Sequence, residues 1–437
     1  MNFRYLLQKS GWLENVSVET DAEGRIVSIL PAHGDSKLIG VPAFRNSHSH
    51  AFQYAMAGFG ERQSGDDDFW TWRDAMYRLA LGVDPDQMEI IATVLYGEMR
   101  RHGYAGVTEF HYLHHDKEGR AYANPAEMGA RLVSAAQTAG IAITLVPVFY
   151  KWSGFGKPAL SEQKRFISDS VDDYLNLLES SKRACDNYEL ARCGFGVHSM
   201  RAASTDEIRE ILDAGPRKAP FHIHISEQRK EVSDAIDFLG SRPVRWFLDN
   251  VDIDERFNFV HATHMTEDET VGLAKTGANV VICPSTEGNL GDGFFDFGRY
   301  SRSGGVWSIG TDSHVGLNPF EELRLLDYGQ RLLTGKRGTF GEAGANGTIA
   351  KVFDGGMQAE GQTPGEFFEI GKQFDACVLD SEVPLISARG GDRLEDTLLY
   401  SSDISMQRAT IVAGNQSASD MDSVRSKFAD AVRELLG

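Results

Sequence analysis

Apolar and polar positions along the chain change rhythm twice. Over the first forty residues, short β-rich runs at 2–7, 15–20 and 25–30 alternate with turns, the last two separated by Asp21-Ala22-Glu23-Gly24. Short runs bounded by turn residues predict a small antiparallel sheet. From Gly40 the texture becomes strand-like runs at 40–47, 106–112, 141–150, 192–200, 220–226, 256–262, 279–284 and 305–312. Between them lie stretches whose apolar residues recur at three- and four-residue spacing, among them 86–102, 126–139, 172–180, 205–214 and 266–276. Strand, helix, strand repeated from Gly40 to Asp312 predicts an α/β fold built on a (β/α)8 TIM barrel.

Beyond Asp312 the pattern is helical at 319–333 and 348–357, passes through a glycine-rich stretch that includes Gly365 and Gly371, and turns β-like again at 374–379 and 406–412. Residues 420–436 predict a last helix. The late strands are expected to rejoin the early ones in a small discontinuous β-sandwich domain. That domain would comprise residues 1–40 and 371–437, interrupted by a barrel domain at 41–370.

With 437 residues, 41% hydrophobic and 24% charged, the chain has ordinary globular composition. Residues 1–15 include basic positions but no apolar run of about 7–15 residues before a small-residue cleavage site, so no signal peptide is expected. The apolar run at 141–150 is too short to span a bilayer and reads as a buried strand. A soluble cytoplasmic protein is the expectation. A formal charge of −19 argues against nucleic acid or an anionic membrane as partner. It also requires that any anionic substrate be met by local cations. The four cysteines form no CxxC pair, which predicts free thiols and no thiolate zinc site.

Candidate chemistry lies in the histidines. Nearly all thirteen fall at or just beyond the carboxyl ends of the predicted barrel strands, the face that carries the active site in this fold. His48 and His50 end the first strand as His-Ser-His, and residues two apart on a strand share a face, so both imidazoles can reach one ion. His224 ends the fifth strand and Asp312 the eighth. Three imidazoles and one carboxylate match the ligand preferences of Zn2+, while Fe2+ and Mn2+ accept the same donors. Glu227, three residues after His224, is placed to carry a proton from an attacking water to a leaving nitrogen. Asp312 can accept a proton from that water, and His261, in Phe-Val-His-Ala-Thr-His, can orient it. A zinc site of the form His-x-Glu followed by Pro-Cys-x-x-Cys, which one class of nucleobase deaminases uses, is missing. The Asp66-Asp67-Asp68 run reads as a solvated loop, His114-His115 as peripheral, and Trp70 and Trp72 as lid or interface packing residues rather than substrate contacts.

These residues carry a resemblance. His48-Ser49-His50, His224-Ile225-Ser226-Glu227, His261 and Asp312 resemble the mononuclear, deaminase-like branch of the amidohydrolases, and His48-Ser49-His50-Ala51-Phe52-Gln53 resembles the formimidoylglutamate deiminases within it. The similarity extends along essentially the whole chain, including Gly371-Lys372 and Asp375. Pro42-Ala43 departs from the usual Pro-Gly, and Phe374 from the usual alanine. The resemblance implies hydrolysis of N-formimino-L-glutamate to N-formyl-L-glutamate and ammonia, a step of histidine degradation, by a homodimer. It implies that Arg73, Tyr112 and Arg201 bind the carboxylates of this small dicarboxylate amidine, and that Gln53 and His198 make further substrate contacts. Binuclear relatives carry a metal-bridging lysine on the fourth strand. Residues 192–200 contain none, so one zinc per subunit is expected. Three other readings remain open on the sequence: a deaminase of guanine, cytosine or an adenosine derivative, a binuclear enzyme that opens a ring amide, and a metal-binding protein without catalysis.

Overall fold

The computed structural model describes every residue except 35, 62–68, 342–343, 390, 417–421 and 437; for 69–71, 344–346, 392 and 422 it describes the backbone alone. The Asp66-Asp67-Asp68 run and the side chain of Trp70 therefore lie outside the described residues. Eight parallel strands follow one another around a barrel: Phe44–Ser49, Tyr104–His111, Ala142–Phe149, Phe195–Ser199, Phe221–Ile225, Phe257–His261, Asn279–Ile282 and Val306–Ile309. Nearly every residue in them is buried, because one face fills the barrel and the other meets the surrounding helices.

The ring closes between its last and first strands. Asp312 N–H donates to the His48 carbonyl at 3.0 Å, and His50 N–H donates to the Asp312 carbonyl at 3.2 Å. At Gly310 the approach is so close that a Cβ would sit 2.7 Å from His48 Cβ and 2.9 Å from its backbone nitrogen, so the seam requires glycine. This closure sets Asp312 beside the two first-strand histidines.

Several outer helices begin where the sequence supplies a reciprocal cap. Asp84 with Gln87, Ser204 with Glu207 and Thr266 with Glu269 start helices Pro85–Arg101, Thr205–Ala214 and Glu267–Ala274. Their predicted starts agree with the observed ones to within a residue.

Strands from both ends of the chain share one six-stranded sheet, in the order Gln407–Ile411, Ala376–Asp380, Leu38–Pro42, Asn2–Gln8, Gly11–Thr20, Ile26–Pro31. Asn2–Gln8 and Leu38–Pro42 pair in parallel and the other neighbours antiparallel. The run predicted as one strand at 40–47 is two: Leu38–Pro42 belongs to this sheet and Phe44–Ser49 to the barrel. Both flank a buried junction, so hydrophobicity runs on unbroken where the backbone changes sheets. Buried Arg45 secures the junction, pairing with Asp375 and lying 3.6 Å from Glu360. The terminal helix Asp422–Leu436 lies on the barrel wall, with the Phe428 and Tyr54 rings 5.6 Å apart and Arg425 3.4 Å from Glu98. After the third barrel strand the chain makes a small hairpin, Trp152–Gly154 with Lys157–Pro158, and a helical turn, Ser161–Gln163, on the same side as the carboxyl ends of the strands. All four cysteines are free. Among the described residues no helix is long and apolar enough to cross a membrane.

Candidate metal and catalytic site

His48 and His50 project from one face of the first strand with their Nε2 atoms 3.2 Å apart, and His224 Nε2 lies 3.0 Å from His48 Nε2. Asp312 Oδ1 is 3.3 Å from His50 Nε2 and 3.7 Å from His48 Nε2. Two of the tautomers are set from behind. His50 Nδ1 meets the Phe110 carbonyl at 2.8 Å, and His224 Nδ1 meets the His198 carbonyl at 3.0 Å. A carbonyl only accepts, so each Nδ1 carries the hydrogen and each Nε2 presents a bare lone pair. Burial, reinforced by neighbouring imidazoles, pushes the His48 and His224 pKa values well below the usual histidine range and His50 to about 3. Neutral rings whose lone pairs converge at this spacing repel one another unless a cation lies among them. The donor set of three imidazole nitrogens and one carboxylate, with no thiolate, fits zinc or a similar divalent ion.

Backbone strain collects at the same place. Ser226, His261, Ala262, Asp312 and His314 have φ of 50°, 68°, 49°, 49° and 66°, in the left-handed region that L residues rarely occupy. They follow or end the fifth, sixth and eighth strands, and two of them, His261 and Asp312, bring their side chains together at the barrel mouth.

Beside the four candidate ligands stands a ring of acids. His261 Nε2 is 3.6 Å from Asp312 Oδ2 and 3.8 Å from Glu227 Oε1, while its Nδ1 is 3.3 Å from Glu287 Oε1. Burial alone would lower the His261 pKa, but Glu227, Glu287 and Asp312 together outweigh it and hold the ring up at about 10, as an imidazolium. Asp312 is pushed up to about 7 by burial, with His261 opposing and Glu227 and Glu287 adding to the rise. Glu227 accepts from Arg201 Nη2 at 3.3 Å. Its turn is fixed by Glu231, which accepts the backbone N–H groups of Ser226 and Glu227 at 3.2 and 3.0 Å.

Above these groups opens a cleft of about 660 Å3, including its mouth, into which Gln53, Arg73, Tyr112, His198 and Arg201 also project. His50, His224, Glu227, His261 and Asp312 line it, and His48 lies beneath them, fully buried. Gln53 Nε2 donates to the Tyr112 hydroxyl at 2.9 Å, and Gln53 Oε1 is buried without a hydrogen-bond partner among the described residues. The Arg73 guanidinium sits 5.3 Å from the centre of the Tyr77 ring.

The sequence reading did not pick out Glu287, Glu109, Tyr77 or Tyr150. Glu287 and Tyr150 follow barrel strands closely, and the rule that singled out the histidines could have found them. Tyr77, from helix Phe69–Gly82, carries no local signature. Trp72, expected as a lid or interface packing residue, lines the cleft. His114 and His115 bond to the carbonyls of Val148 and Ile167, away from the candidate ligands.

Residues 39–352 match the model of the amidohydrolase family. A formimidoylglutamate deiminase from Pseudomonas aeruginosa is 42% identical over 421 residues, covering 93% of this chain and 92% of that protein. Among solved structures, an amidohydrolase from Brucella melitensis superposes with a TM-score of 0.92 at 39% identity, covering 100% of this chain and 99% of the other. An adenosine deaminase from Xanthomonas campestris with bound zinc shares the fold, with a TM-score of 0.81 at 19% identity over 99% of this chain and 97% of its own.

Proposed function

The chain belongs to the amidohydrolase family, and from that premise we propose that it hydrolyses N-formimino-L-glutamate to N-formyl-L-glutamate and ammonia, a step of histidine degradation. One observation carries the reading: two guanidinium groups, Arg73 and Arg201, share a cleft with a buried centre of three imidazoles and a carboxylate. A substrate with two carboxylates and an amidine needs both cations and acid/base groups in one place. A neutral nucleobase would bring no anionic group for the two guanidinium groups to bind.

His48, His50, His224 and Asp312 would hold one divalent ion per subunit, zinc foremost, which when bound supplies a Lewis acid that lowers the pKa of a water to about 7. Glu227 faces the same space and takes the first proton from the attacking water. As the water oxygen bonds to the formimino carbon and the bond from that carbon to the imino nitrogen breaks, Glu227 delivers this proton to the departing nitrogen. Asp312 receives the second water proton and passes it on, so both end on ammonia and the amino-acid nitrogen stays in the formamide. His261, charged and gripped at Nδ1 by Glu287, donates from Nε2 to orient the water. Gln53 Oε1 offers an acceptor to the amidine N–H groups, and Tyr112 and His198 bound the substrate beside it.

Ammonia release measured with formiminoglutamate, formiminoaspartate, guanine and cytosine tests the proposal. Formiminoglutamate should be turned over best, and preferential release from either nucleobase would overturn it. After chelation, one equivalent of zinc per chain should restore full activity; a requirement for two would favour a binuclear centre. The reading extends, through the family resemblance, to a homodimer working in the cytoplasm. Sedimentation velocity and cell fractionation check these two points.

A further inference from the structure

Tyr77 and Tyr150 line the same cleft and have no part in the steps above. Both side chains are almost fully buried, and their hydroxyls converge on one amide: Gln163 Nε2 donates to Tyr150 Oη at 2.7 Å and to Tyr77 Oη at 3.0 Å. The orientation of that amide is fixed by its other end, since Gln163 Oε1 accepts the Leu160 backbone N–H at 2.8 Å. Both amide hydrogens are thus committed to phenol oxygens. A phenol that accepts at oxygen retains its own hydrogen for donation. At most one of the two phenols can spend that hydrogen on the other, so at least one O–H remains to point into the cleft.

What surrounds those hydroxyls is cationic. The Arg73 guanidinium lies over the Tyr77 ring, and the charges of Arg201 and Arg73 both act on the Tyr150 hydroxyl. Burial, with Tyr77 beside it, drives the Tyr150 phenol well above its ordinary range, so it stays protonated and able to donate. Across the cleft Gln53 also donates to a phenol oxygen, that of Tyr112, whose own hydrogen faces Met76 Sδ at 3.8 Å. This end of the cleft therefore presents donors and positive charge.

We propose that Tyr77 and Tyr150, held by Gln163, join Arg73 and Arg201 in binding one carboxylate of the substrate and make the cleft select a carboxylate over a carboxamide. A carboxylate accepts at both oxygens, whereas a carboxamide would set its own N–H donors against the phenol and guanidinium hydrogens. The inference rests on the proposed deiminase reaction and names what recognises its substrate. Gln163 acts as a positioning residue: it belongs to the turn Ser161–Gln163 and leaves the phenol hydrogens free for the ligand.

The experiment compares kcat and KM for N-formimino-L-glutamate with those for its two monocarboxamide analogues, the formimino derivatives of glutamine and isoglutamine. Wild type, Tyr77→Phe, Tyr150→Phe and Gln163→Glu are measured, with Tm recorded for each. Gln163→Glu removes no phenol but turns the double donor into an acceptor that draws the phenol hydrogens out of the cleft. Wild type should disfavour at least one carboxamide analogue by about 100-fold in kcat/KM. Tyr150→Phe and Gln163→Glu should each shrink that ratio about tenfold, mainly through a higher KM for formiminoglutamate. An unchanged ratio in all three variants, whatever their Tm, overturns the inference while leaving the deiminase reading intact. A wild-type protein inactive on formiminoglutamate would instead remove the deiminase reading.

Discussion

Ser49, the residue between the two first-strand histidines, donates a hydrogen bond to the buried carboxyl of Glu109 at 2.5 Å. The same carboxyl accepts the Ala51 N–H at 2.6 Å, so a side chain of the second barrel strand holds the Ser49 hydroxyl on one side of His50 and the Ala51 backbone on the other. Burial pushes Glu109 up to about 8 even against these bonds. Ser49→Ala takes one donor from a carboxyl with no access to water, at a cost of about 1–3 kcal/mol. It also loosens the pair of ligands it separates. The expected outcome is a lower Tm in the metal-free protein and a zinc affinity reduced about 10–100-fold, with kcat per bound ion retained. Chelator-competition titration reads the affinity, and an unchanged value would refute the clamp.

Glu227→Gln preserves the shape of the side chain and its ability to accept from Arg201, but not its ability to carry a proton. Because Glu227 stands beside the candidate ligands rather than among them, metal content should stay at the wild-type level. Loss of a general acid/base typically costs about 10²–10⁴ in kcat. Metal analysis and turnover on the same preparation check both halves, and near-normal turnover would take the proton relay away from Glu227.

Arg73 and Arg201 should fail in different ways. Arg73 lies over Tyr77 on the helix side of the cleft, so Arg73→Met should raise KM for formiminoglutamate and leave kcat close to normal. Arg201 touches Glu227 as well, so Arg201→Met should raise KM and lower kcat together. Either loss is expected to cost roughly 2–5 kcal/mol in kcat/KM if the guanidinium pairs with a desolvated carboxylate. Steady-state kinetics showing the same kcat-to-KM pattern in both variants would argue against this division of labour.

The barrel and the candidate site on its carboxyl-terminal face were legible because parallel strands write near-continuous apolar runs and end in the histidines and acids that gather there. His48, His50, His224, His261 and Asp312 could be placed together from strand order alone. The switch at Ala43 from one sheet to another was not legible, since burial is equally complete on both sides of it. Tyr77 and Gln163 were out of reach for another reason. They come from a helix and a short turn far apart in sequence, and only the folded loop brings Gln163 to Tyr77 and Tyr150. The contact between Arg201 and Glu227 was equally hidden, because pattern reading assigns a guanidinium to a ligand without seeing its neighbours within the protein.

His222 shares the His-Ile-His doublet with His224 but makes a different contact, its Nε2 lying 3.0 Å from the Ala359 carbonyl. The carbonyl only accepts, so Nε2 carries a hydrogen, and burial lowers the pKa to about 4 although that bond opposes the fall. In the unfolded chain the ring titrates near its ordinary value, about 6.5. Between these values the unfolded chain binds a proton that the folded protein refuses. The His222 contribution to stability is therefore fully present above about pH 6.5 and is lost as pH falls towards 4. A shift of this size corresponds to about 3 kcal/mol across the window. His222→Gln can still donate to Ala359 but cannot titrate. Urea unfolding of chelator-treated protein at pH 7 and pH 4 should show the variant losing about 3 kcal/mol less than wild type on acidification. The remaining slope belongs to other buried imidazoles, such as His111 and His314, both lowered to about 3. If variant and wild type lose the same amount, His222 is not held neutral in the fold.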